Sequence, residues 1–257
     1  MNFGICNLSV IPLRAEPSDK SEMVSQILFG ETFEILEKKN QWLYVKTHAD
    51  EYAGWMDEKQ MRSLSTTQLK QIQQAPQTCL LDITATAFGN SGSVLLVIGS
   101  SLPLYAENKF KIGEEEFQTE GDTIHTGKVD LHQRIPFHAV KFAGMPYLWG
   151  GRSLFGLDCS GFTNVVFKLA GIKLRRDAWQ QSEQGILVSF IDETRPGDLA
   201  FFHNEENKIT HVGIILEGKK VIHASGKVRI DTIDHYGIYN EEQKRYTHQL
   251  RLIKRMI

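Results

Sequence analysis

The sequence predicts an α+β protein: two small β-barrels in series, then a larger domain in which helices precede an antiparallel sheet. Three observations lead there. Short β-like runs separated by turns fill the first sixty-odd residues, and a pair of landmarks from that region returns further along. From about Leu131 the pattern changes to helical spacing and then to a series of apolar, strand-like runs.

In the first region Phe33, Ile35, Trp42, Tyr44 and Val45 suit short strands, while Lys39-Asn40 and Ala53-Gly54 suit turns. Strands this short are best satisfied by closing into a barrel, with Trp42 and Trp55 expected to fill its core. Ile11-Pro12-Leu13-Arg14-Ala15-Glu16 recurs as Leu102-Pro103-Leu104-Tyr105-Ala106-Glu107, and Phe29-Gly30-Glu31 is echoed by Ile112-Gly113-Glu114. The gap between the landmarks is eight residues shorter in the second copy, so one loop is cut back, the long one after the first strand being expected. The polar connector "SLSTTQLKQIQQAPQ" reads as a short helix ended by Pro76. This gives barrels at 1–64 and 78–128 and a third domain at 131–257.

The third domain opens with a helix that stops at Gly144, with Pro146 beyond it. Phe162, Val165, Val166 and Leu169 then repeat with helical spacing up to Gly171. Strand-like runs follow at Leu199–Phe202, Val212–Leu216, Val221–His223 and Leu250–Ile253. Arg195-Pro196-Gly197-Asp198 reads as a structural turn into the strand that precedes His211.

Composition narrows the function. Hydrophobic residues make up 41% and charged residues 23%, and the net charge of −2 gives no reason to expect nucleic acid or an anionic surface as partner. The apolar runs, such as Val94–Ile98, are too short to cross a membrane. The first twenty residues lack the basic start and apolar core of a signal peptide, so the chain is expected to be cytoplasmic. It is also expected to be a monomer. Three widely spaced cysteines, Cys6, Cys79 and Cys159, form no CxxC pair and support neither a zinc knuckle nor a disulfide scaffold. Cys6 and Cys79 read as structural.

Cys159 stands in Asp158-Cys159-Ser160-Gly161, where an apolar helix begins. A helix N-terminus presents free N–H groups and a partial positive charge, which favours a thiolate. Asp158 suits the N-cap, and Ser160 and Gly161 leave the amides open to a substrate oxyanion. A thiolate nucleophile needs a base, and the base needs an orienting partner. His211 and His223 flank a turn at Glu217-Gly218, so they are expected across from one another on one sheet face, His211 as base and His223 as orienter. On the residues alone the bland reading stands beside this one: a cysteine at a helix start is often core, and a strand histidine is often structural. A zinc site from Cys159, His211 and His223 is chemically possible, but nothing in the motif prefers it.

"YLWGG", "DCSGF", "RPGDLAFF", "HVGIIL" and "VIHASG", in that order from Tyr147 to Gly226, resemble the NlpC/P60 family of papain-like cysteine peptidases. The two upstream barrels resemble bacterial SH3 modules. The combination is similar to the γ-D-glutamyl-L-diamino acid endopeptidases, which act on cell-wall peptides. The resemblance implies Cys159 as nucleophile, His211 as base and His223 as the third polar residue, with no metal or cofactor. It also implies a pocket for a free N-terminal L-Ala-γ-D-Glu unit, with Tyr147, Asp158 and Ser160 at its amine end. Glu22 and Tyr52 are the candidates for an acidic residue and an aromatic from the first SH3 module. The substrate implied is a murein peptide cut before diaminopimelate or lysine in peptidoglycan recycling. Two other readings stay open: an SH3 protein that binds peptidoglycan, and a wall hydrolase acting on polymeric stem peptides.

Overall fold

The computed structural model describes residues 2–126 and 131–256. The expected end of the second module at residue 128 and the last residue, 257, lie outside them. The chain divides into two units: Met1–Gly127 with Trp149–Leu154, and Lys128–Leu148 with Phe155–Ile257.

The first unit begins with β1 (Phe3–Ile5), β2 (Val10–Arg14), β3 (Met23–Leu28), β4 (Thr32–Lys39), β5 (Trp42–Thr47), β6 (Ala53–Asp57) and β7 (Arg62–Leu64). They form one sheet in the order β3-β2-β6-β5-β4-β1-β7. Its interior gathers Cys6, Ile11, Leu13, Ile27, Phe33, Leu43, Val45 and Met56. Trp55 does not join them. On β6 the inward positions are Gly54 and Met56, so Trp55 points outward and lies 5.1 Å from the Tyr44 ring. Trp42 is buried, at 7% exposure.

Helix α1 (Thr66–Gln74) follows, started by a capping box in which the Gln68 N–H donates to Ser65 Oγ and the Ser65 N–H donates to Gln68 Oε1. Then come β8 (Thr78–Leu80), β9 (Thr84–Gly89), β10 (Gly92–Val97), β11 (Lys109–Ile112), β12 (Glu115–Thr119) and β13 (Thr123–His125). β10-β9-β12-β11 make a second sheet, and β13 pairs with β8. The repeated landmark differs in conformation between the copies. Val10–Arg14 is a strand, whereas the stretch from Leu102 turns at once, with Leu104, Glu107 and Asn108 in the left-handed region (φ 56°, 50° and 63°). With the eight-residue loop removed, the chain has no room to run straight before it reverses. The two modules also share a core: Ile5, Phe29 and Leu64 pack with Ile72 of α1 and with Leu80, Leu96, Phe110, Ile112 and Phe117. Phe29 meets Phe110 and Phe117 edge-on, with centroids 5.6 and 5.9 Å away.

A short strand, β14 (Arg152–Ser153), belongs to this first unit. Arg152 is completely buried and closes on Glu31 through two bonds of 2.9 and 3.0 Å, with a third to the Gln26 carbonyl at 2.6 Å. Gly150 precedes it at φ 75°, where an added Cβ would lie 2.2 Å from the Met23 carbonyl oxygen.

The second unit holds α2 (Leu131–Val140), β15 (Gly156–Leu157), α3 (Cys159–Leu169), α4 (Ala178–Ser182), β16 (Ile186–Val188), β17 (Leu199–His203) and β18 (Ile209–Leu216). β19 (Lys220–Ser225), β20 (Lys227–Ile233), β21 (Gly237–Asn240) and β22 (Arg245–Arg255) complete it. The order β22-β17-β18-β19-β20-β21 closes through a β22–β21 pairing into a six-stranded barrel, with β16 on the outside of β22. α3 packs against β18 and β19. Every residue of α3 is buried except Lys168, which explains why the predicted spacing of Phe162, Val165, Val166 and Leu169 carries so many apolar neighbours. Among the described residues no helix is long and apolar enough to cross a membrane.

Candidate active site

Cys159 is the first residue of α3, and Asp158 caps that helix: the Gly161 N–H donates to Asp158 Oδ1 at 2.6 Å. Asp158 has a second task. Arg176, 1% exposed, forks onto both of its oxygens at 3.0 and 2.6 Å and also donates to Ser160 Oγ at 2.9 Å. Gln181 closes the network by donating to the Ser160 carbonyl at 3.0 Å. The turn into Cys159 is therefore held by a buried ion pair as well as by the helix. Tyr147 is placed alongside: it bridges Leu157, and its N–H donates to the Gly226 carbonyl at 3.1 Å. Its hydroxyl is pushed up to about 12 by burial and by the nearby Cys159 and Asp158.

Cys159 Sγ sits 4.0 Å from the Thr210 carbonyl, and the Val212 backbone hydrogen-bonds to it, so the thiol lies against the residues on either side of His211. The helix terminus does not make it a thiolate, contrary to expectation. Burial and then the Asp158 charge push the thiol up to about 12, outweighing Arg176 and the backbone N–H groups. A thiol in this state needs a base.

The base side is an ordered relay. His211 Nε2 and His223 Nδ1 are 2.8 Å apart, and His223 Nε2 is 2.9 Å from Asp231 Oδ2. Arg229 forks onto the same carboxylate at 2.6 and 2.9 Å. Burial opposes ionisation of Asp231, but the bonds from His223 and Arg229 prevail and hold it at about 2. The carboxylate can only accept, so neutral His223 carries its proton on Nε2 and accepts at Nδ1 from His211 Nε2–H. That leaves Nδ1 of His211 as the unprotonated nitrogen, and it has no hydrogen-bond partner among the described residues. Burial, reinforced by the repulsion that a protonated His223 or His248 would add, holds His211 well below the usual histidine range. At neutral pH the ring is therefore an uncharged base.

His211 and His223 share a face but do not stand directly opposite. The turn is Glu217-Gly218-Lys219, Leu216 pairs with Lys220, and His223 faces Gly213. The histidines meet on the diagonal because position 213 has no side chain; a Cβ there would come 2.6 Å from Val221 Cγ2 and 3.0 Å from His223 Cβ.

The remaining candidates, Glu22 and Tyr52, belong to the first unit. Glu22 is exposed before β3 and accepts the indole N–H of Trp149. Tyr52 lies in the β5–β6 turn, its N–H donating to Thr47 Oγ1 at 3.1 Å. Residues at the site that were not among those expected include Arg176, Arg229, Asp231 and His248, the last stacked on His211 at 4.1 Å. Arg229 and Asp231 carry a legible signal, since they alternate along the strand after Gly226. The others carry none in local pattern.

A cysteine at the start of a buried helix, packed against a barrel strand that carries an oriented histidine, is the arrangement of a papain-like cysteine peptidase. The NlpC/P60 family pattern matches residues 144–251, and that of the bacterial dipeptidyl-peptidase SH3 domain matches 13–61. A γ-D-glutamyl-L-lysine dipeptidyl-peptidase of Bacillus subtilis is 32% identical over 78% of this chain and 71% of its own. Its namesake from Bacillus cereus is 27% identical over 80% and 68%. The crystal structure of an NlpC/P60 family protein from Bacillus cereus superposes with a TM-score of 0.82 at 22% identity, covering 98% of this chain and 99% of that one, and so shares the fold. The chain belongs to the NlpC/P60 family.

Proposed function

We propose that this protein is a cysteine endopeptidase that hydrolyses the γ-D-Glu–diamino acid bond of cell-wall peptides bearing a free N-terminal L-Ala, releasing L-Ala-D-Glu. The observation that carries the reading is the relay Asp231–His223–His211, which leaves a lone pair on His211 Nδ1 in the strand against which Cys159 rests. The names of the relatives supply the substrate class.

In this reading His211 Nδ1 takes the thiol proton as Cys159 Sγ attacks the γ-carbonyl. Backbone N–H groups at the start of α3 hold the oxyanion. The imidazolium, stabilised through His223 by Asp231, gives its proton to the leaving amine of the diamino acid. Water activated by His211 then opens the thioester. Since burial keeps both Cys159 and His211 uncharged, the thiol proton passes to His211 Nδ1 as attack proceeds.

Tyr147, Asp158 and Ser160 receive the substrate amine. Arg176 already neutralises Asp158, so the carboxylate serves the ammonium as one acceptor beside the Ser160 and Tyr147 hydroxyls. A free-amine requirement suits soluble wall fragments, hence a monomeric, cytoplasmic recycling enzyme. The test is turnover of L-Ala-γ-D-Glu-L-Lys and its diaminopimelate counterpart, free and N-acetylated, by the wild type and Cys159→Ala. Cleavage of the free peptides only, abolished in the variant, is expected. Retained cleavage by Cys159→Ala would sink the nucleophile, and equal rates on the N-acetylated peptides would remove the amine pocket.

A further inference from the structure

His248 has no task in that reaction, yet the chain goes to some length to bring it there. β17 pairs with β18 on one side and β22 on the other, and both partners insert an extra residue at the level of Phe202. Pairing passes from Phe202↔His211 to His203↔Ile209, and from Phe201↔Leu252 to Phe202↔Leu250. Thr210 and Arg251 are the extra residues. A bulge inverts the in-and-out alternation beyond it. With a regular ladder Gln249 would share the face of His211; the bulge at Arg251 puts His248 there instead.

The His211 and His248 rings are stacked, with centroids 4.1 Å apart and planes 25° apart. Phe202 touches both, at 5.8 and 6.0 Å, and His223 meets both edge-on, at 5.0 and 5.5 Å. His248 Nδ1 lies 2.9 Å from Thr247 Oγ1, and its Nε2 has no hydrogen-bond partner among the described residues. Neither nitrogen is thus spent on the relay. What His248 offers His211 is a flat surface.

A flat surface answers a specific need. The torsion that turns a histidine ring about its Cβ–Cγ bond has broad wells, so the side chain itself sets ring orientation weakly. The hydrogen bond to His223 fixes one nitrogen and leaves the ring free to rock about it, which would swing Nδ1 out of line. We propose that His248 is a positioning residue whose ring holds the His211 imidazole in the plane that presents Nδ1 to Cys159. This rests on His211 being the base. Burial, and after it the repulsion that a protonated His223 would add, pushes His248 down to about 4, so the stack is uncharged in the working range and costs His211 no added repulsion there.

The experiment compares His248→Ala, His248→Phe and His248→Leu in the full chain, with kcat and KM on L-Ala-γ-D-Glu-L-Lys and a thermal melt for each. Phe keeps a flat ring, whereas Leu keeps apolar bulk without one. The alanine variant is expected to lose about tenfold to a hundredfold in kcat, as misplacements of about 1 Å do, with KM little changed. Phe is expected to restore most of it and Leu little. An alanine variant within twofold of wild-type kcat, or Phe no better than Leu, overturns the proposal. Should His211→Gln retain full activity, the base reading itself fails; an inactive His211→Gln beside a fully active His248→Ala refutes the positioning role alone.

Discussion

Each unit buries one arginine almost completely and closes it on a carboxylate, but the two forks do different work. In the first unit Arg152 ties β14 to Glu31, whose carboxylate also accepts the Leu28 N–H. In the second, Arg176 holds the Asp158 that caps the helix of Cys159, and a third fork, Arg229 on Asp231, continues through His223 to His211. The same bidentate geometry thus serves as a staple in one place and as a source of orientation in the other. Burying such a pair brings little net stability over apolar packing, because desolvation offsets the attraction. Its value in the second unit lies in fixing which proton sits on which nitrogen and where the cysteine turn points.

The largest effect that can separate the two roles is at Asp231. An asparagine there can present N–H to His223 Nε2, which moves the His223 proton to Nδ1 and reverses the bond to His211. His211 then carries its proton on Nδ1 and loses its free lone pair. Asp231→Asn is expected to lower kcat by about 10³–10⁴-fold, as a wrong tautomer does in other acyl-transfer relays. Pre-steady-state thioester formation measures this directly, and a loss under tenfold would show the relay to be ornamental.

Next come the arginines. Arg152→Ala and Arg176→Ala each leave a buried carboxylate without its guanidinium, and each is expected to cost about 3–5 kcal/mol in urea unfolding. The comparison sharpens with lysine, which keeps the charge without the fork. Arg176→Lys is expected to lower kcat/KM beyond what its stability loss explains, since Ser160 and the cysteine turn lose their second bond. Unchanged kcat/KM in a folded Arg176→Lys protein would reduce Arg176 to the role of Arg152.

What was legible in the sequence follows from the range of the signals. The cap at Asp158, the helix after it and the hairpin that pairs the histidines are set within a dozen residues, by capping and alternation. Arg176 lies outside any regular element, 18 residues beyond the Asp158 it holds, and only tertiary packing reveals it. His248 was hidden by the bulge at Arg251, which breaks the alternation that would have assigned its face. Trp55 was misassigned because Gly54, next to it, occupies the buried side of the strand without an apolar side chain to advertise it. The thiol's ionisation was misjudged for a similar reason: the helix-end field is local and readable, while the burial that overrides it is not.

The smallest expected effect concerns two histidines for which burial outweighs any stabilising charge. His138 on α2 is 2% exposed and neither ring nitrogen has a hydrogen-bond partner among the described residues. Burial, with Arg134 and Lys141 nearby, pushes it down to about 4; His248 is likewise at about 4. Unfolded, each returns to about 6.5 and binds a proton that the folded state refuses. Stability contributed by these two groups is present above about pH 6.5, falls as pH drops below it, and goes on falling until the folded values near 4 are reached. Between pH 7 and 5.5 each is expected to remove on the order of 1 kcal/mol. His138→Phe replaces an unsatisfied imidazole with an apolar ring, so it is expected to raise stability at pH 5.5 more than at pH 7. Urea melts at the two pH values check this. An equal shift at both would mean that His138 does not titrate with unfolding, and that the acid sensitivity of this unit lies in the relay around His211.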